Sequence, residues 1–152
     1  TIGATIEASL QGVPAIAMSQ FFGPANADLD QPFEAAAQHG ADVVRRLLRN
    51  GLWGDEDYRL FYNVNFPPVA AAAVQGMKVG AQGFRRGTAF TVEPHQSPSG
   101  RKFLWVKGGD QRVRTLPDTD VALNLDGYIS VTPMRADLTD HATLAQLRDA
   151  LE

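Results

Sequence analysis

TIGATIEASLQGVPAIAMS, residues 1–19, reads as a helix, a tight turn and a buried strand. Ile2, Ile6 and Leu10 recur at helical spacing, and Ala4 and Ala8 keep the helix slim enough to lie close to a sheet. Glu7 is expected to face water or to cap a neighbouring group. Gly12 supplies the stop, because glycine reaches positive φ at little cost. Pro14 opens the next segment, where a missing N–H matters least. Ala15 to Met18 is then a continuous apolar run, the mark of a strand covered on both faces, as in a parallel α/β sheet. The helix starts at the first residue with no initiator Met, so further chain is expected before Thr1.

Outward from this unit the pattern repeats. Residues 20–31 read as a polar loop, with Phe21 and Phe22 as core or as a pocket wall. Pro32 suits the first turn of a helix that runs to Arg49 along an apolar face of Phe33, Ala36, Val43 and Leu47, among others. Residues 52–59, including Asp55 and Glu56, read as an acidic surface loop, and Leu60 to Phe66 as the next strand. Strand, helix and strand in alternation predict βαβ units and a parallel sheet over residues 1–70.

The grammar changes after Val74. Extended segments are expected near 75–82, 84–93 and 101–107, with Ser97 to Gly100 as a hairpin tip, so residues 74–110 read as a projecting antiparallel arm. Phe103 and Trp105 would leave an apolar patch on it unless something covers them. Over residues 118–152 the sequence predicts one or two helical turns, a closing strand at Tyr128 to Val131, and a C-terminal helix from about Thr139. Its stripe of Leu144, Leu147 and Leu151 must dock on this chain or on a partner.

The 152 residues suffice for about one domain, and 44% hydrophobic with 20% charged residues fits a folded globular protein. A net charge of −3 without acidic or basic blocks gives no reason to expect a nucleic-acid polymer or a charged membrane surface as partner. No apolar run is long enough to span a bilayer. With no cysteine, thiol nucleophiles and thiolate metal sites are excluded. A reducing compartment is allowed, and a cytoplasmic location is expected.

Several residues could carry chemistry. Thr1, Ile2 and Gly3 could place free backbone N–H groups where a helix dipole favours phosphate, or Thr1 could be an ordinary N-cap. His39 reads as a surface residue, His95 as solvated near the hairpin tip, and no two histidines have metal-ligand spacing. Asp137 and His141 could form a catalytic dyad or a hydrogen bond that fixes a helix start. The loop carboxylates Asp28, Asp30 and Asp57 read as solvated. Asp118-Thr119-Asp120 could hold a cation or cap a helix. Asn63 and Asn65 share one face of a strand and could line a pocket or tie down the Pro67-Pro68 turn. No nucleophile elbow or phosphate loop of the Walker type is present.

Six motifs stand in order along the chain. They are Thr1-Ile2-Gly3-Ala4 with Glu7 and Gly12-Val13-Pro14 through Ser19; Tyr62 to Pro67; Gln82-Gly83-Phe84-Arg85-Arg86; Thr119-Asp120 with Ala122; Gly127 to Met134; and Asp137-Leu138-Thr139 with His141. Together they resemble the survival protein SurE family of nucleotidases across the whole chain. Ala81 and Asp118 depart from that pattern, at positions where the family carries a basic residue and a glycine.

The resemblance implies a Rossmann-like α/β core with a projecting hairpin and a C-terminal tail. It implies divalent-metal-dependent hydrolysis of nucleoside 5′- or 3′-monophosphates, with Mg or Mn as the metal. The family's ligands, an Asp-Asp pair, a Ser and an Asn, belong to the half preceding these motifs, so no metal ligand is expected here and the segment alone is expected to be inactive. Thr1, Ile2 and Gly3 take the place of the family's phosphate-side turn. Phe103, Trp105, Asp137 and His141 fall in the hairpin and tail, which serve subunit exchange in the family, implying a homodimer or homotetramer. The alternative is a non-enzymatic oligomerisation or binding module.

Overall fold

The structure, a computed structural model, describes residues 1–54 and 57–152. Asp55 and Glu56 of the expected acidic loop lie outside the described residues. The opening unit forms the expected helix, turn and strand, but the helix buries a different face from the Ile2, Ile6 and Leu10 stripe, and Leu10 is exposed. Helix α1 spans Ile2–Leu10, Gly12 turns the chain at φ 77°, and strand β1 follows at Ile16–Gln20. The residues that α1 buries are Thr5 and Ser9, whose hydroxyls each donate to a carbonyl three residues earlier at 2.8 Å. Side chains this short let the helix axis lie close to the strands beneath it.

The loop after β1 is more ordered than its polar composition suggests. It holds a single turn of helix, α2 (Pro24–Ala27), around a fully buried Asn26. The Asn26 amide accepts from the Gly23 N–H at 2.9 Å and donates to the carbonyls of Phe21 and Pro32 at 3.0 and 2.8 Å. A buried amide answered this fully pins three backbone points at once.

Helix α3 (Glu34–Asn50) buries Ala35, Gly40, Val43 and Leu47. His39, expected at the surface, is half-buried instead, with Nε2 2.9 Å from the carbonyl oxygen of Ala71. It ties α3 to a short 3-10 turn at Ala71–Ala73. Strands β2 (Phe61–Phe66) and β3 (Met77–Val79) follow. The arm is β4 (Thr91–Gln96) paired antiparallel to β5 (Lys102–Lys107), with Gly100 at φ 83° in its tip. Of the extended segments expected between 75 and 93, the first joins the main sheet and residues 84–90 lie outside any strand. Helix α4 (Asp120–Leu125), strand β6 (Ile129–Met134) and helix α5 (Leu144–Leu151) complete the chain. Helix α5 starts five residues later than expected, because Asp137 and Asp140 spend their carboxylates on turns at 139–143. None of its residues is buried.

The main sheet has the order β1-β2-β6-β3. β1 and β2 are parallel and joined through α3, the strand–helix–strand unit of the sequence. β6 enters antiparallel to β2, and β3 lies parallel to β6. Strand alternation gives the sheet two unlike faces. On one, Tyr62, Val64, Phe66, Ile129 and Val131 pack with Ala35, Val43 and Leu47 of α3. Burying each large member contributes about 1.5–3 kcal/mol. The other face carries Ala17 and Ser19, Asn63 and Asn65, and Ser130 and Thr132. Since α3 occupies the first face over β1, α1, which packs on β1 and β2, covers the second, and α4 packs on β2 and β6. No helix among the described residues is long and apolar enough to cross a membrane.

Candidate functional site

The polar face of the sheet is organised in rows. Register pairs Ser19 with Asn65 and Asn65 with Ser130, so these three side chains cross three strands in one line. Asn63 sits one pleat back beside Thr132. The hydroxyls of Ser130 and Thr132 are buried with no hydrogen-bond partner among the described residues. Neither Asn63 nor Asn65 spends its side-chain amide on a partner among the described residues. Such a concentration of unspent polar groups inside a sheet needs a reason beyond folding, because each costs free energy when left unpaired.

Of these residues, Ser19, Asn63 and Asn65 line a pocket of about 270 Å³ at the carboxyl ends of β1 and β2. Ser19, Gln20 and Phe21 come from the end of β1, Asn63 and Asn65 from β2, and Asp120, Val121 and Asn124 from α4. Arg85 and Gln111 reach in from the two legs of the arm's root. Gln20 is committed to structure: it donates to the Pro32 carbonyl and accepts from the Ala36 N–H, both at 2.9 Å. Asp120 Oδ1 accepts from the Gly83 and Val121 N–H groups at 2.8 and 2.7 Å, which ties the Gln-Gly turn to α4. Thr119 caps α4 through the Ala122 N–H, so the Asp118-Thr119-Asp120 stretch works as a cap and turn anchor.

Chain direction brings the helix start to the same place. α1 and β1 run in opposite senses across the Gly12 turn, so Thr1, Ile2 and Gly3 lie toward the end of the sheet where β1 finishes. Thr1 makes no side-chain cap bond, Ile2 is half-buried, and Gly3 is exposed with nothing within 4 Å of where a Cβ would stand. They do not line the pocket itself.

Asp137 and His141 are not brought to this site. β6 runs against β2, so the tail leaves from the opposite end of the sheet. The pair meets there at 2.5 Å, and hydrogen bonds from Thr139 and then His141 hold the Asp137 carboxyl well below the usual carboxylate range. That is the structural bond, a turn between β6 and α5. Phe103 and Trp105 stand out on the arm, 43% and 55% exposed, on either side of the His95 ring. Arg85, Gln111, Asp120 and Asn124 are pocket residues that the sequence did not single out for this role. The alternation that marks Asn63 has no counterpart for side chains converging from a turn, a loop and a helix.

Fold and pocket together define an α/β protein with a polar pocket at the carboxyl edge of its parallel strands, the place where open α/β sheets bind small molecules. The family model for survival protein SurE matches residues 1–89. The chain belongs to that family. It is 66% identical over 147 residues to a 5′-nucleotidase SurE of Cereibacter sphaeroides, an alignment covering 97% of this chain and 56% of the relative. A 5′-nucleotidase SurE of Ruegeria pomeroyi is 60% identical over 153 residues, covering 99% and 58%. The crystal structure of a SurE protein from Aquifex aeolicus superposes with a TM-score of 0.71 at 30% identity, covering all of this chain and 57% of that one. The chain thus spans a little over half the length of the relatives it matches.

Proposed function

We propose that this chain forms the phosphate side of a nucleotidase site, in a protein that hydrolyses nucleoside 5′- and 3′-monophosphates in the cytoplasm with Mg or Mn. The observation that carries it is that α1 starts toward the same end and face of the sheet as the Asn63–Asn65 pocket. Backbone N–H groups at Ile2 and Gly3, at the positive end of α1, offset the growing charge of the phosphoryl group. The free amides of Asn63 and Asn65 orient the ester beside them. Among the described residues no three His, Asp or Glu side chains converge as a metal ligand set would. These residues therefore do not fit the metal, and no metal-dependent step is assigned to them.

The reading is tested by phosphate release from AMP with Mn²⁺, comparing residues 1–152 with the full-length protein. Turnover by the full-length protein and none by the segment is expected. Equal rates would overturn the division of the site. The arm supports a second, compatible role. Every residue of β5 is exposed, including Phe103, Leu104, Trp105 and Val106. This surface, together with the tail around Asp137 and His141, is proposed as the contact of a homodimer or homotetramer.

A further inference from the structure

Arg85 and Gln111 stand 26 residues apart, at the two legs of the arm's root, and Arg85 Nη1 donates to Gln111 Oε1 at 2.7 Å. That bond takes one end of the guanidinium. Its Nε is buried and has no hydrogen-bond partner, and Arg85 forms no ion pair among the described residues. A guanidinium offers Nε and Nη2 as a flat, two-pronged donor edge matched to two oxygens of one anion. Leaving a charged donor buried and unpaired is costly, so the arrangement calls for an acceptor. Asp120, the carboxylate that lines the pocket, forms no ion pair with Arg85 among the described residues, and its Oδ1 is held by two backbone N–H groups. Asn63 and Asn65, with their unspent amides, line the same pocket as Arg85.

We propose that Arg85, braced by Gln111, pairs with two phosphoryl oxygens of the nucleotide through its Nε and Nη2 edge. This rests on the nucleotidase reading and names the residue that recognises the anion. Gln111 is a positioning residue, since it acts only by holding Nη1. Because both come from the arm's root, arm position and anion affinity are coupled.

The test is calorimetric titration of the full-length protein with AMP, adenosine and inorganic phosphate in EDTA, with AMP hydrolysis scored in parallel under Mn²⁺. Arg85→Met is expected to weaken AMP and phosphate by roughly tenfold to a hundredfold and to leave adenosine unchanged. Arg85→Lys keeps the charge but loses the flat edge, and is expected to fall between the two; it carries the test if the Met variant does not fold. Gln111→Ala, at an exposed position, is expected to weaken AMP several-fold with the same indifference to adenosine. Equal loss of AMP and adenosine, or no loss of either, overturns the proposal. So does a wild type that binds neither AMP nor phosphate. Unchanged AMP hydrolysis in Arg85→Met overturns it while the nucleotidase reading stands. Arg85-dependent phosphate binding in a wild type that hydrolyses no AMP upholds the anion site and overturns the nucleotidase reading.

Discussion

Asn124 Nδ2 donates to the main-chain carbonyl of Asn65 at 3.1 Å, joining residues 59 apart in sequence. The bond fixes α4 over the last turn of β2, at the rim of the polar pocket. It also consumes the amide of Asn124 and leaves that of Asn65 without a partner among the described residues, so one asparagine builds the wall and the other lines the open pocket. Asn124→Ala removes the donor and leaves a buried carbonyl without it. The expected loss is about 1–3 kcal/mol in urea unfolding, with weaker AMP binding as α4 loosens.

Gly3 separates stability from binding. It lies in the first turn of α1 with open space around it, so Gly3→Glu fits sterically. Replacing glycine in a helix and adding a carboxylate at its positive end both stabilise, together by about 1 kcal/mol. If the same end receives a phosphoryl group, the new charge repels it. Thermal unfolding should move up while KM for AMP rises several-fold. A rise in stability with unchanged KM would remove Thr1, Ile2 and Gly3 from the phosphate site.

How far these features could be read from sequence depended on how local they are. The α1–Gly12–β1 unit, α3 and the hairpin are written in short-range periodicity and in turn residues. Asn63 and Asn65 stood out because alternation placed both on one face. β6 could not be placed between β2 and β3 in advance, since strand order depends on pairing across some 60 residues. Asn26 did not stand out from the polar loop of residues 20–31, because an amide that serves a loop internally has the same composition as one that faces water. Arg85 and Gln111 become a site only when both legs of the arm close on the sheet.

The tail has a defined acid sensitivity. Asp137 titrates below its ordinary value of 3.8 when folded, through hydrogen bonds from Thr139 and His141. A carboxyl depressed by folding stabilises the turn fully above its unfolded value and ceases to do so as pH falls through the folded one. The turn should therefore hold from neutral pH down to the ordinary carboxylate range and open only at stronger acid. In carbon-detected NMR the Asp137 carboxyl should still be ionised at pH 4, and Asp137→Asn should loosen the 137–143 turn at neutral pH and at pH 4 alike.

The arm should be dispensable for the core and needed for assembly. Phe103 and Trp105 belong to a ribbon whose two strands pair only with each other. Replacing both by Ser should shift stability by no more than about 0.5 kcal/mol. Light scattering should then report a smaller species than the wild type. An unchanged mass would take these residues out of any subunit contact.

The most direct measurement is an amide and side-chain amide NMR titration of the full-length protein with AMP. Shifts are expected at the backbone N–H groups of Ile2 and Gly3 and at the side-chain NH₂ groups of Asn63 and Asn65, with smaller ones for adenosine at Ile2 and Gly3. Shifts confined to the arm, or to the face of the sheet packed against α3, would contradict a phosphate site at the carboxyl edge of β1 and β2.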